Sequence, residues 1–473
     1  MTWNKFLNPY RLRESTKPSD KKRDPRNPFE SDFGRVIFSP ATRRMHDKTQ
    51  VFPLTTDDNT HSRLTHSMEV MSIGYSLGVK LCENKEFQKR LNKSEYEIFR
   101  EIPVILKNSC LIHDIGNPPF GHFGESVIQN YFSDFFDKNI VKKAKKDFTK
   151  YDEESGKILL ELTDNQKQDF LFFDGNAQGL RVLTKLQILN DIYGLNLTYA
   201  TLGSYIKYPN YGSLDENVIA KHKIGVFDSE IEFFERIIEN CGLKIGKEVV
   251  RHPLCYLMEA ADSICYLTMD IEDGYSKNLF DLEYLYKELK SVPNLKNDLK
   301  TIFKDKNNIY KNDTTKVVNF RIKIIQQLVL LAVDNFNKNL DEIEKGNYNE
   351  ELIFDDKNEL AKKLQKICID KIFKFREINS LEITGHSVIK GLLDYYIDFI
   401  FHKDKKYRKR VIPLISESIL KIAYEENNLS GKDAKFDNLN DYYKLRIIVD
   451  FISGMTDQFA LNHYQKISGQ KIK

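Results

Sequence analysis

The sequence is poor in the features that mark disulfide-stapled, disordered or membrane-spanning proteins. Its six cysteines include no Cys-x-x-Cys pair, so we expect reduced, buried thiols and no disulfide framework. Thirteen prolines and 22 glycines are too few for long disordered or sandwich-like stretches. No window reaches the roughly 18 consecutive apolar residues that span a bilayer, and the start of the chain lacks a signal-peptide core. These absences predict a cytoplasmic protein with no membrane partner.

Charge of one sign is also lacking, because 72 basic residues nearly balance 69 acidic ones and leave a formal charge of +3. This sum argues neither for nor against a polyanionic partner, since local clusters of charge matter more. Hydrophobic residues make up 41% of the chain and charged residues 30%, which is typical of a globular core with a well-solvated surface.

Apolar residues recur at helical spacing along most of the chain, and β alternation is scarce. Three stretches are clearest: residues 66–82, the run from 102 to a stop at Gly116, and residues 251–275. The predicted fold class is therefore all-α, with room for one short β-hairpin. We divide the chain into a polar N-terminal arm (1–33), a helical core (34–275) and a C-terminal helical region (276–473).

The adjacent residues His113 and Asp114 stand at the end of an apolar helical run. An imidazole beside a carboxylate offers mixed N and O donors, which suit Mn, Fe, Co, Zn or Mg. Two neighbours cannot complete a coordination sphere, so His66 and Asp262 are the further candidates, each inside an apolar helical segment. A single histidine or His-Asp pair is more often structural, but this ordered set of four predicts a metal site.

The same residues lie in longer segments that resemble the deoxyguanosine triphosphate triphosphohydrolases, a branch of the HD superfamily of metal-dependent phosphohydrolases. The matching segments are RRMHDKTQVFPL (43–54), HSRLTHSMEV (61–70), LIHDIGNPPFGHFGE (111–125), DGNAQGLRVL (174–183), LGSYIKYP (202–209), RHPLCYLMEAADSICYLTMDIED (251–273) and ISGMTDQFAL (452–461). Residues 280–440 carry no motif that we connect with this family.

The resemblance implies an HD-domain helical core, with additional C-terminal helices that complete the site and an oligomer interface. It implies hydrolysis of dGTP to deoxyguanosine and inorganic triphosphate, by attack of a metal-activated water on the α-phosphate. The metal, most readily Mn²⁺ or Mg²⁺, would be held by His66, His113, Asp114 and Asp262.

His122 and Glu125 are predicted to form the catalytic pair. They are three residues apart, so on a helix that starts after Pro119 they share a face, and the glutamate orients the imidazole. The resemblance places a catalytic histidine at His122. The alternative is that His122 only caps the loop.

The resemblance implies contacts with three parts of the nucleotide: the sugar, the phosphates and the base. Those for the sugar, where the tyrosine would exclude a 2′-hydroxyl, are Gln50, Tyr266 and Asp270. Those for the phosphates are Arg63, Asn176, Lys207, Tyr208 and Lys223. Those for the base are Val51 and Arg446.

The resemblance also implies a homo-oligomer, with a hexamer as the expected form, and single-stranded DNA as a further partner. The basic run HKDKKYRKR (402–410) is a solvated face, a nucleic-acid contact or a phosphate-binding regulatory site. Three other functions remain open: a triphosphohydrolase of broad dNTP specificity, an HD phosphodiesterase, and a catalytically silent protein that senses nucleotides or binds DNA.

Overall fold

The computed structural model describes residues 2–13, 24–54, 60–142, 151–152, 157–187, 192–304, 312–402 and 404–471. Helices dominate this part of the chain, which confirms the all-α prediction. No helix within it is long and apolar enough to cross a membrane. Residues 1 and 14–23 of the predicted arm, and residue 403 of the basic run, lie outside the described residues.

The first half of the chain forms eleven helices within the described ranges. They are α1 (Trp3–Phe6), α2 (Pro28–Ile37), α3 (Pro40–Arg44), α4 (Arg63–Cys82), α5 (Lys85–Leu91), α6 (Glu95–Ile112), α7 (Gly121–Lys138), α8 (Asp164–Leu171), α9 (Gly175–Arg181), α10 (Tyr199–Tyr205) and α11 (Ile231–Cys241).

The second half of the chain forms eleven further α-helices within the described ranges, including the one that carries Asp262. They are α12 (Pro253–Ser276), α13 (Leu282–Leu289), α14 (Lys296–Lys304), α15 (Asp313–Lys338), α16 (Leu340–Lys345), α17 (Leu360–Ile367), α18 (Arg376–Phe401), α19 (Lys405–Val411), α20 (Glu417–Glu426), α21 (Asp441–Ser453) and α22 (Asp457–Ile467). Single π-helical turns follow α9 at Val182–Leu186 and α17 at Cys368–Ile372.

Strands in the described residues are confined to two small sheets. In the first, β3 (Lys157–Glu161) pairs in parallel with β1 (Ile140–Lys142) and antiparallel with β2 (Tyr151–Asp152). In the second, β4 (Lys244–Ile245) and β5 (Glu248–Val249) form a two-residue hairpin. Gly246 has a φ of +60° there, which such a tight turn favours. The predicted short hairpin is thus present.

Helices α4, α6 and α12 pack together and carry the site. Ser62 and Ser94 cap the first turns of α4 and α6 through reciprocal hydrogen bonds, and Pro253 is the first residue of α12. Helix α4 approaches α6 closely at Gly78, where a Cβ would lie 2.7 Å from the Cα of Pro103. The sequence of α4 therefore brings its His66 end up to the C-terminal end of α6.

The described part of the N-terminal arm is packed onto the body. The buried ring of Trp3 lies edge-on to Phe87, with centroids 4.9 Å apart, and its Nε1 donates to Glu344 at 2.7 Å. Arg11 pairs with the buried carboxylate of Asp32 at 2.6 Å. The arm thus contacts both the helical core and the C-terminal region.

Candidate active site

The structure brings the four predicted metal ligands together. His66 lies in the first turn of α4, His113 and Asp114 directly follow α6, and Asp262 lies in the middle of α12. Ligand atoms of His66, His113 and Asp114 lie within 4.8 Å of one another. Asp262 completes the group from the opposite helix, with Oδ1 at 3.1 Å from His66 Nε2 and 3.3 Å from His113 Nε2.

The end of α6 is where the sequence and the structure differ in detail. The apolar run was predicted to continue as helix to Gly116, but α6 ends at Ile112. Residues 113–116 form a turn, in which the amide N–H of Asn117 donates to the Asp114 carbonyl at 3.2 Å. The turn carries the His-Asp pair away from the helix axis and toward α4 and α12.

The protonation of His113 is set by its neighbour on α6. Its Nδ1 donates to the carbonyl of Cys110 at 2.7 Å, so the neutral form of the ring has its lone pair on Nε2. Nε2 is buried and makes no hydrogen bond, since its 3.3 Å approach to Asp262 lacks the geometry of one. A backbone carbonyl behind the ring and an unpartnered nitrogen in front are typical of a metal-ligating histidine. Two imidazoles and two carboxylates are a donor set that fits a divalent metal ion.

The neighbouring charges of the cluster shift the pKa values of His113 and Asp262. Burial opposes charge on His113, but the carboxylates of Asp114 and Asp262 outweigh it and raise its pKa to about 9. Burial likewise opposes charge on Asp262, and the two histidines hold its pKa well below the usual range. A metal ion bound here would displace the proton that the raised pKa of His113 favours.

Asp114 is held in place by two neighbours. Arg63 of α4 forms a buried ion pair with it, and the side-chain amide of Asn117 donates to its Oδ1 at 2.7 Å. A Cβ on Gly121 would collide with the Arg63 guanidinium, so the glycine at the start of α7 leaves the arginine its place. Arg63 thus lies between the metal cluster and α7.

Replacing Gly116 by alanine is expected to destabilise the protein by about 1–3 kcal/mol, because a Cβ there would collide with the backbone of Gly175 and Gly179 on α9. Gly212→Ala is the matched control, since the nearest atom to its added Cβ is Asn210 Oδ1 at 3.8 Å. Urea denaturation followed by circular dichroism would measure both free energies of unfolding. Equal stability of the two variants would contradict the close packing of this turn on α9.

The predicted catalytic pair is joined by a hydrogen bond at the start of α7. Nδ1 of His122 lies 2.9 Å from Glu125 Oε2, and Oε1 of the same carboxylate accepts from the Gly175 amide at 2.8 Å. The His122 side chain is 72% exposed, whereas Glu125 is 5% exposed. The charge of Glu125 raises the pKa of His122, and His122 holds the pKa of Glu125 below its usual value against the effect of burial.

Two of the predicted phosphate contacts lie beside this pair. Lys223 Nζ is 2.7 Å from Asp174 Oδ2 and 3.9 Å from Glu125 Oε2. Asp174 caps α9 by accepting from the amide of Asn176 at 2.8 Å, and also from its side chain at 2.8 Å. Lys223 therefore contacts the carboxylates around His122.

Lys207 and Tyr208 connect this group with the metal side. Lys207 Nζ lies 5.6 Å from the centroid of the Tyr208 ring, and Lys223 Nζ lies 6.0 Å from it. Lys207 also pairs with the buried Glu259 at 3.2 Å, one turn before Asp262 on α12. Sequence reasoning missed Glu259, although its three-residue spacing from a predicted ligand on a helix could have indicated it.

The predicted sugar contacts follow Asp262 along α12. Tyr266 is half-buried and Asp270 is buried, and burial together with the nearby charge of Asp273 raises the pKa of Asp270 well above its usual value. Gln50 has a buried Oε1 without a hydrogen-bond partner. The Phe52 ring lies 5.7 Å from Lys277 Nζ, which places the segment of Gln50 and Val51 near the end of α12.

The C-terminal region adds one carboxylate that no motif indicated. Oγ of Ser263, next to Asp262, donates to Glu351 at 3.3 Å. Burial and the charge of Glu259 raise the pKa of Glu351. Only the fold brings this part of the chain to α12, so spacing in the sequence offers no signal for it.

Arg446 does not join the site. Its side chain is fully buried, donates to Gln178 and to Asp450, and lies 3.8 Å over the ring of Phe227. A guanidinium enclosed by protein on all sides cannot contact a base, so the predicted base contact at Arg446 is wrong. Its helix, α21, is buried on nearly every face, and Arg446 serves the packing of that helix.

Known proteins extend the resemblance over the whole chain. A deoxyguanosinetriphosphate triphosphohydrolase-like protein of Listeria innocua is 35% identical over 487 residues, covering 99% of this chain and 100% of the relative. One of Synechocystis sp. is 30% identical and covers 99% of both chains. The deoxyguanosinetriphosphate triphosphohydrolase of Cronobacter sakazakii is 32% identical and covers 93% of each. This chain belongs to the deoxyguanosinetriphosphate triphosphohydrolase family.

Membership in the family confirms the resemblance and makes the chain a hydrolase. The family model of a phosphohydrolase-associated domain also matches, at residues 420–466. In the structure this segment contacts α9, the helix that follows Asp174. Asp450 of α21 pairs with Arg181 of α9 at 2.8 Å, and α9 begins at the Asp174 cap beside His122.

Proposed function

We propose that this chain is a metal-dependent dGTP triphosphohydrolase that converts dGTP to deoxyguanosine and inorganic triphosphate. The observation that carries the proposal is the unpartnered Nε2 of His113 among His66, Asp114 and Asp262, with the His122–Glu125 pair nearby. The relatives named above bear the name of the same activity. A silent protein would not need this set of charged, buried groups.

The metal would be held by His66, His113, Asp114 and Asp262, as the donor set indicates. When bound, a divalent ion supplies Lewis acidity toward a phosphoryl oxygen and lowers the pKa of coordinated water. Arg63 and Asn117 keep Asp114 in position for this role.

His122 is the residue placed to move a proton. Its Nδ1 is tied to Glu125, so Nε2 on the far side of the exposed ring would protonate the 5′ oxygen as the bond to the α-phosphorus breaks. Glu125 keeps the ring oriented and favours the imidazolium, because its carboxylate raises the pKa of His122.

The substrate would be held along two rows of side chains. The triphosphate carries about four negative charges and would be neutralised by Arg63, Lys207 and Lys223, with Asn176 and Tyr208 adding hydrogen bonds. The sugar would meet Gln50, Tyr266 and Asp270. A buried Asp270 with a raised pKa is a neutral acid that can donate to, or accept from, a 3′-hydroxyl.

We expect Glu125→Gln to shift the alkaline limb of the kcat profile to lower pH. The general acid acts only while protonated, so activity falls as the pH rises through the pKa of His122. The carboxylate raises that pKa, and the neutral amide removes the effect. The control is Glu161→Gln, since that carboxylate lies on β3 away from His122. An unchanged alkaline limb in Glu125→Gln would reject the coupling.

A second candidate is a triphosphohydrolase of broad dNTP specificity. The burial of Arg446 removes one of the two predicted base contacts and favours this reading, because the remaining contacts address sugar and phosphates. The test is to incubate the protein with Mn²⁺ and each dNTP or NTP separately, and to resolve the products by ion exchange. Triphosphate from dGTP alone supports the dGTPase, release from all four dNTPs supports the broad enzyme, and pyrophosphate or monophosphate overturns both.

We further propose a domain organisation, an oligomeric state, a cellular location and a further partner, each of which the family resemblance suggests. The arm (1–33), the HD-domain core (34–275) and the C-terminal region (276–473) would act as one catalytic unit. The protein would assemble as a homo-oligomer, with a hexamer as the expected form. Its location would be the cytoplasm. Single-stranded DNA would be a further partner, with the basic run 402–410 as its contact. Size-exclusion chromatography with light scattering tests the assembly.

A further inference from the structure

A cavity of about 480 Å³ is lined in part by Ile115 and Gly116, which follow the His113–Asp114 pair. It is bounded by α3, by the turn of Lys48, by the end of α9 and by the helices α20 to α22 of the C-terminal region. The volume falls within the range of about 300–1,000 Å³ that is usual for small-molecule sites. None of the residues assigned above to metal, catalysis or substrate lines it.

Two cations face this cavity without an acidic partner. Lys48 is buried, and its Nζ donates to the backbone carbonyls of Asn117 at 2.5 Å and Ser453 at 2.8 Å. Arg44 is half-buried, and in the part of the chain that the structure describes it has neither a hydrogen bond nor a carboxylate within 4.0 Å. Burial, and then the charge of Arg44, lowers the pKa of Lys48 to about 7, and an anion beside it would favour its charged form.

Asp450 also lines the cavity but does not compensate these cations. Its carboxylate is already engaged by Arg181 at 2.8 Å and by the side-chain amide of Gln178 at 3.0 Å. Unpaired cations in a partly enclosed, low-dielectric space are costly, and an anion that entered would relieve that cost. The guanidinium of Arg44 also offers the fork that binds carboxylate or phosphate oxygens in pairs.

Most of the other residues that line the wall are apolar. Val182, Ile419 and Phe451 contribute to it. A bare inorganic anion would leave this wall in contact with water only. A molecule with an apolar body beyond its charged group would cover it and gain about 25 cal/mol for each Å² buried.

We propose that this cavity is a second ligand site, which binds a small molecule carrying one oxyanion group, a carboxylate or a phosphate monoester, on an apolar body. The oxyanion pairs with Arg44 and Lys48, and the body packs on Val182 and Phe451. The site does not depend on the proposed hydrolysis. It is nevertheless connected with the metal cluster, because the same Asn117 that accepts from Lys48 through its carbonyl donates through its side chain to Asp114.

The test is isothermal titration calorimetry of the full chain with a chelator present and no nucleotide. The probes are phenyl phosphate, 3-phenylpropionate, inorganic phosphate and benzyl alcohol. We expect one or both aromatic anions to bind, and inorganic phosphate and the uncharged alcohol to bind about tenfold more weakly or worse. The two aromatic arms distinguish a phosphate monoester from a carboxylate as the preferred group.

Three variants assign the binding to the cavity. Arg44→Met should weaken the aromatic anion about tenfold or more, whereas Arg43→Met, which changes its exposed neighbour outside the cavity, should leave it unchanged. Ile419→Trp fills the cavity without removing charge and should also abolish binding. Binding of neither aromatic anion overturns the proposal, and so does binding that survives in Arg44→Met or in Ile419→Trp, because the anion then lies elsewhere.

Discussion

Replacement of His113 by alanine is expected to abolish metal binding and to lower kcat by more than about 100-fold. Loss of a residue that merely supports a metal ligand costs about 10- to 100-fold in affinity or activity, and a direct ligand contributes more. His113 offers the only lone pair of the cluster that is backed by a carbonyl on its own helix, at 2.7 Å. Its removal also takes from Asp262 the neighbour that does most to hold its pKa below the usual range.

The matched control for this experiment is His46→Ala, because the His46 side chain is 72% exposed and lies outside the cluster. Metal content after dialysis against Mn²⁺ would be measured by elemental analysis, and affinity by calorimetry. Circular dichroism would establish that both variants are folded. Full metal occupancy in folded His113→Ala would remove His113 from the ligand set and with it the proposed centre.

Replacement of His122 by alanine is expected to lower kcat by about 10²- to 10⁴-fold while the metal content stays at the wild-type level. General acid–base catalysis by a positioned side chain contributes an effect of this size. The ring is exposed and packs on little, so its removal costs little stability, and KM should change far less than kcat. The pair of results, metal retained and turnover lost, separates His122 from the ligands in the cluster.

The measurement is steady-state kinetics of triphosphate release by His122→Ala, beside His46→Ala as the control. His122→Asn tests whether a neutral hydrogen-bonding side chain can substitute, and it should remain close to the alanine variant because it cannot supply a proton. Wild-type turnover in His122→Ala would mean that a group other than His122 donates the proton to the 5′ oxygen.

The metal cluster could be predicted from the sequence because its members are marked locally. His113 and Asp114 are adjacent at the end of an apolar run, and His66 and Asp262 lie in helices whose apolar spacing is clear. The spacing of His122 and Glu125 likewise predicts a shared helical face, and the structure has them 2.9 Å apart. The spacing of Asp262, Tyr266 and Asp270 places all three on α12, and their roles toward metal and sugar stay predictions.

Contacts between residues that are far apart in the chain could not be predicted from the sequence. Arg446 precedes a matching segment, yet only the packing of α21 against α9 decides that its guanidinium is enclosed. Glu351 reaches Ser263 from a region without any motif, across 88 residues of chain. Lys48 resembles a surface lysine in the sequence, and its burial becomes visible only when Ser453 comes within 2.8 Å from the far end of the chain.

The most direct test of the central claim is hydrolysis of dGTP by the wild-type protein with Mn²⁺ in ¹⁸O-labelled water, with the products analysed by mass spectrometry. The proposed function predicts unlabelled deoxyguanosine and an intact triphosphate that carries one ¹⁸O from attack at the α-phosphorus. Label in the 5′-hydroxyl of deoxyguanosine would place the attack on carbon. Release of dGMP with pyrophosphate would contradict the triphosphohydrolase itself.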